Sequence, residues 1–203
     1  MTATWVRRTY GAVGVTQYPS GEHMAPLQEP HIGKVLLCID VSSSMTRRLG
    51  EAVAGAREFV AESIEARYLV GLVLWHHGID EYVPLSRDPG KVEQVLRHAR
   101  SHGGTNLAPT LELGVRELGP LSGDRVMAVF GDGDIGPVGA ATNAARQAAA
   151  LGIRIIVRGL GEYAAAQLNQ VATDPAEATV LASVGDIRAG IAAMVNTITR
   201  RRD

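Results

Sequence analysis

The sequence predicts an α/β fold: a doubly wound, mostly parallel six-stranded sheet with one antiparallel edge strand and helices on both faces. Three observations carry that prediction. Short apolar runs such as "VLLCIDV" and "IRIIVRGLG" lack the apolar–polar alternation of a strand with one wet face, so both their faces are covered. Between these runs lie segments whose apolar residues recur at helical spacing. Strand and helix patterns also alternate along the chain, as a parallel sheet with right-handed crossovers requires.

The elements follow in order. "VLLCIDV" (35–41) is a buried strand, and "RRLGEAVAGAREFVAESIEA" (47–66) is an amphipathic helix. "YLVGLVLWHH" (68–77) is a second buried strand. "IDEYVPL" (79–85) is shorter and more polar, and its Pro84 removes a ladder donor, which places it at an edge. "DPGKVEQVLRHAR" (88–100) starts a helix behind a proline. "NLAPTLELGVREL" (106–118) is a further helix, "DRVMAVFGD" (124–132) a strand, and "GAATNAARQAAALG" (139–152) a helix closed by Gly152. The strand "IRIIVRGLG" (153–161), the helix "YAAAQLNQVAT" (163–173), a short strand "ATVLA" (178–182) and the helix "DIRAGIAAMVNTITRR" (186–201) complete the pattern. Residues 1–33 are Gly- and Pro-rich without a period and read as an irregular arm or short edge strands. Residues 34–203 form one domain.

Composition narrows the class of function. A chain of 203 residues with 46% hydrophobic and 20% charged residues is that of a globular domain. A formal net charge of −1 gives no electrostatic claim on nucleic acid or an anionic membrane. The lone Cys38 lies within an apolar strand, where it has no intramolecular disulfide partner. No apolar stretch reaches the ~18 residues of a membrane span, and "MTATWVRRTYG" lacks a signal-peptide core. The expectation is a cytoplasmic protein, bacterial by its Ala-, Arg-, Gly- and Val-rich composition.

In a doubly wound sheet, ligands bind beyond the carboxyl ends of the strands. Three loops there carry chemistry. "DVSSS" follows the first strand with Asp40, Ser42 and Ser44. "HGGTNL" delivers Thr105, and "GDGDIG" follows a later strand with Asp132 and Asp134. Carboxylates mixed with hydroxyls are hard oxygen ligands, suited to Mg²⁺ or Mn²⁺. Neutral hydroxyls leave such an ion uncompensated charge, and so a capacity to take a carboxylate from another molecule.

Asp40-x-Ser42-x-Ser44, Thr105 in "GGTNL", and Asp132 after a hydrophobic strand resemble the metal-ion-dependent adhesion site (MIDAS) of the von Willebrand factor A (VWA) family. The resemblance spans roughly residues 34–199 and includes element order and the "LNQVAT" helix. It implies a Rossmann-like VWA fold, direct metal contact from Ser42, Ser44 and Thr105, and contact mostly through water from Asp40 and Asp132. Two positions depart from the family pattern: Ser43 stands where glycine is usual, and Gly131 where threonine or serine is usual. Asp134 lies near enough in sequence to substitute for Asp132. The resemblance further implies a Mg²⁺-dependent adaptor without catalysis. Its partner would be a protein offering an acidic ligand, in an AAA+ ATPase system or a stress or defence complex.

Other readings compete. "GDGDIG" resembles the late acidic motif of haloacid-dehalogenase-like phosphatases, but those enzymes need an aspartate where Ser42 stands. A scaffold with a vestigial ion site is a further alternative. Ser42 and Ser44 alone would be ordinary helix caps. "GLGEYA" (159–164) matches a dinucleotide motif but lacks the acidic residue after the next strand, and reads as a tight turn. His76 and His77 end a strand, and His98 and His102 sit four apart, without a Cys or Glu cluster to complete a zinc site. They read as solvated histidines.

Overall fold

In the computed structural model, residues 32–173, 179–181 and 186–199 are described. The N-terminal arm except its last two residues, and the arginines at 200–202, lie outside them. Strands are β1 (Gly33–Asp40), β2 (Tyr68–Trp75), β3 (Ile79–Ser86), β4 (Arg125–Gly131), β5 (Arg154–Leu160) and β6 (Thr179–Leu181). Helices are α1 (Leu49–Glu65), α2 (Gly90–His98), α3 (Ala108–Leu118), α4 (Val138–Ala150), α5 (Gly161–Asn169), α6 (Ile187–Ala192) and α7 (Met194–Thr199).

The sheet order is β3-β2-β1-β4-β5-β6. Only β3 runs antiparallel, and it pairs with β2 at the edge. This is the predicted architecture: five strands of seven or eight residues and a sixth of three. Pro84 is tolerated because β3 is an edge strand among the described residues.

The absence of alternation in β1 has a direct structural cause. Val35, Leu37 and Ile39 face one core with Ala52, Ala56 and Phe59 of α1 and Ile187, Ile191 and Ile198 of the last helices. Leu36 and Cys38 face a second core with Leu111 of α3 and Ala141, Ala144 and Ala148 of α4. Every residue of β1 is therefore buried, and burial pushes the Cys38 thiol far above its usual pKa, leaving it unreactive.

Boundaries differ from expectation where local hydrogen bonding changes. Ser43–Arg47 forms a 3₁₀ helix ahead of α1. Strand β2 stops at Trp75, because the His76 N–H turns back to the Gly78 carbonyl (2.9 Å). The single helix expected over 186–201 is two, joined by a turn at Ala193 whose carbonyl accepts from Asn196 N at 3.1 Å. This tightened turn keeps Met194, Val195 and Ile198 in the core.

The amino end of the sheet is closed by polar contacts. The Asp124 carboxylate takes two hydrogen bonds from Arg154, at 3.1 and 3.0 Å, and one from the Tyr68 hydroxyl. Arg154 also donates to the Ile198 carbonyl at 2.9 Å, tying α7 to the sheet. The carboxyl end carries the open loops.

Helix α1 packs on α6 through Gly55, where an added Cβ would lie 2.7 Å from the Arg188 carbonyl oxygen and 3.0 Å from its Cα. Backbone cannot swing aside as a side-chain tip can. Gly55→Val is expected to cost about 1–3 kcal/mol through overpacking, read as a lower midpoint in urea with an unchanged slope.

Candidate metal centre

β1 and β4 are neighbours whose following helices go to opposite faces: α1 to the first core and α4 to the second. Their carboxyl ends therefore flank a crevice, and the loops that carry the predicted residues border it. Asp40 ends β1 with no exposed surface. Its Oδ1 accepts the Ser42 N–H at 2.8 Å, while its Oδ2 is buried without a hydrogen-bond partner among the described residues. Ser42 makes no capping bond to the following helix; its Oγ lies 2.9 Å from Ser44 Oγ. Capping thus does not explain the serines.

The other loops are tied to the first by backbone bonds. Gly103 O accepts both the Ser43 N–H (3.2 Å) and the Ser43 hydroxyl (2.9 Å). His102 N donates to Val41 O (2.8 Å), Asn106 N to His76 O (2.7 Å) and Leu107 N to Ile135 O (3.1 Å). The segment carrying Thr105 is thereby held on β1, β2 and the loop after β4.

The structure separates the two candidate aspartates. The Asp132 side chain is 6% exposed and pairs with Arg48 at 3.3 Å, and its charge acts on Asp40. Asp134 is exposed, and its Oδ1 is used locally to accept the Gly136 N–H at 2.8 Å. Gly131 also gains a reason: a Cβ there would sit 3.2 Å from Asp40 Oδ2 and 3.3 Å from the Trp75 ring. Ser43, the other departure, supplies the hydroxyl that holds Gly103.

Two features escaped the sequence reading. Arg48 had no motif to mark it, and it places a guanidinium over Asp132. His76, Asp80 and His102 converge, with each histidine near Asp80 Oδ1. The His-x-x-x-Asp spacing of 76 and 80 was the available signal, but only the fold brings His102 across. "GLGEYA", read as a tight turn, is a direct strand-to-helix junction: Gly159 and Leu160 end β5, Gly161 begins α5, and a Cβ on Gly159 would lie 2.5 Å from Ala165 N.

Residues 35–134 match the von Willebrand factor type A domain family. The chain carries a VWA domain. Solved structures agree on its fold. The vWF domain of the type V pili tip protein Mfa5 from Porphyromonas gingivalis aligns with a TM-score of 0.74 at 16% identity, covering 82% of this chain and 95% of that one. Pilus adhesin SpaC from Lactobacillus rhamnosus GG gives 0.71 at 16% identity, covering 83% of this chain and 31% of that one. Proximal thread matrix protein 1 from the mussel byssus, with a zinc-occupied MIDAS motif, gives 0.63 at 18%, covering 83% and 47%. This chain thus spans less than half the length of the last two. No curated protein matches it in sequence.

The residues fit a hard divalent ion. An orphaned buried carboxylate oxygen beside two converging hydroxyls is a donor set short of a cation. Burial first, and the Asp132 charge after it, push the Asp40 carboxyl from an ordinary 3.8 up to about 6, against lowering hydrogen bonds from Ser42 and from the Asp132 backbone.

That shift fixes a sign. A carboxyl with a higher pKa folded than unfolded favours the fold when protonated, and the contribution fades as pH rises through the folded value. Without divalent ions, this group should remove up to about 3 kcal/mol of stability between about pH 4 and pH 7. Asp40→Asn, neutral throughout, should flatten that slope in urea melts taken in EDTA. Arg48→Met removes a cation facing the same crevice, so Mg²⁺ affinity measured by calorimetry should rise severalfold.

Proposed function

We propose that this VWA domain is a Mg²⁺-dependent protein-binding module that recognises an acidic side chain of its partner. The observation that carries the reading is the buried Asp40 Oδ2, which has no hydrogen-bond partner among the described residues and lies at the loop where Ser42 and Ser44 meet. Ser42, Ser44 and Thr105 would hold the ion directly, with Asp40 and Asp132 orienting its shell; Mn²⁺ would serve as well as Mg²⁺. The bound ion supplies an open coordination position for a carboxylate. Asp40 keeps the serine loop in place through the Ser42 N–H, and Gly103 fixes the threonine loop against Ser43.

Adhesive and matrix proteins among the structural neighbours support an interaction module. A non-catalytic role is favoured because the position a phosphatase needs for its second aspartate holds Ser42, whose N–H braces Asp40. We place the module in the cytoplasm, in an assembly of the AAA+ ATPase or stress and defence type that its sequence resemblance implies.

The test is capture from native lysate on the immobilised protein, in Mg²⁺ and in EDTA. A partner retained only with Mg²⁺, and lost with Ser42→Ala/Ser44→Ala, is the expected result. Equal retention in both buffers would sink the reading and leave a scaffold with a vestigial site. Mg²⁺ at a hundredfold excess over Kd should also stabilise the wild type by about 2–3 kcal/mol, and leave the double-serine variant unmoved.

A further inference from the structure

Beside the serine-lined crevice lies a second cluster with different chemistry. His76 Nε2 is 3.5 Å and His102 Nε2 is 3.3 Å from Asp80 Oδ1. The three ligand atoms all lie within 4.8 Å of one another. The His76 and His102 rings are 4.5 Å apart. Both N···O separations exceed the usual range for a hydrogen bond. They match the edge of a tetrahedron around a zinc ion: metal–ligand bonds of 2.0–2.1 Å set neighbouring ligand atoms about 3.3–3.4 Å apart.

His76 does not behave as a satisfied core histidine. It is 6% exposed, and among the described residues its Nδ1 has no hydrogen-bond partner and its Nε2 makes the long contact to Asp80.

The backbone is built for the approach. Gly103, directly after His102, adopts φ +74°, and a Cβ there would stand 2.9 Å from His77 Nδ1 and 3.3 Å from His76 Cγ. The loop can therefore lie against the end of β2 only with glycine at that position. A cavity of about 450 Å³ opens alongside, with Asp80, Glu81, His98 and His102 on its wall. It gives an ion, and water as a fourth ligand, a way in.

We propose that His76, His102 and Asp80 form a second metal site, selective for a borderline cation of the Zn²⁺ class, distinct from the hard-ion site at Asp40 and Ser42. Two imidazoles and one carboxylate are a zinc donor set with one position open. Occupancy would clamp the His102–Thr105 loop to the end of β2. Since that loop also holds Ser43 through Gly103 O, zinc would set how firmly the serine loop is braced.

The inference does not depend on the protein-binding role of the first site, and one titration separates them. Untagged full-length protein in excess Mg²⁺ is titrated with Co²⁺, then with Zn²⁺. The expected result is one Co²⁺ per chain with the intense visible bands of a four-coordinate ion, displaced by Zn²⁺. His102→Ala and Asp80→Asn should each weaken binding at least tenfold, with circular dichroism confirming the fold; both positions are partly exposed. Ser42→Ala/Ser44→Ala should leave it unchanged. Absence of the intense bands, bands indifferent to both substitutions, or bands lost in the serine variant would each overturn the proposal.

Discussion

A carboxylate buried at the end of the most enclosed strand is the constraint on which the carboxyl edge of this domain depends. β1 lies between β2 and β4 with helices on both sides, so the chain cannot deliver Asp40 to solvent without first leaving the sheet. One oxygen is satisfied by the Ser42 N–H and the other is left bare. A bare buried carboxylate is costly. The neighbouring serines, Arg48 and Asp132 can all be understood as the surroundings of that charge.

The two ends of the sheet resolve buried polarity differently. At the amino end Asp124 is met by Arg154 and Tyr68, and the network anchors α7. At the carboxyl end Asp40 and Asp132 share a crevice, where the Arg48 guanidinium pairs with Asp132. The first arrangement is internally complete and serves the fold. The second leaves Asp40 Oδ2 without a hydrogen-bond partner among the described residues, as a candidate ligand site does.

The glycine loop joins the two candidate metal sites. His102 belongs to the imidazole cluster, Gly103 turns the chain and receives Ser43, and Thr105 follows two residues later. Soft-leaning nitrogen donors thus stand one turn from hard oxygen donors. The backbone between them carries three hydrogen bonds to β1's loop and one to His76 O, so displacement at one site strains the other.

The amino-acid order by itself determined the architecture, because mostly buried strands interleaved with amphipathic helices pack in few ways. It also marked the three loops that carry the candidate oxygen ligands, since each follows a strand or a glycine turn whose place in the sheet is legible from periodicity. Tertiary structure decided what depended on distances between elements. Asp132 and Asp134 are indistinguishable in "GDGDIG", and only folding buries the first and spends the second on Gly136 N. The histidines look unrelated along the chain, because 26 positions separate His76 from His102. They meet because a positive-φ glycine lays one loop across the end of β2, a consequence of packing that no local pattern encodes.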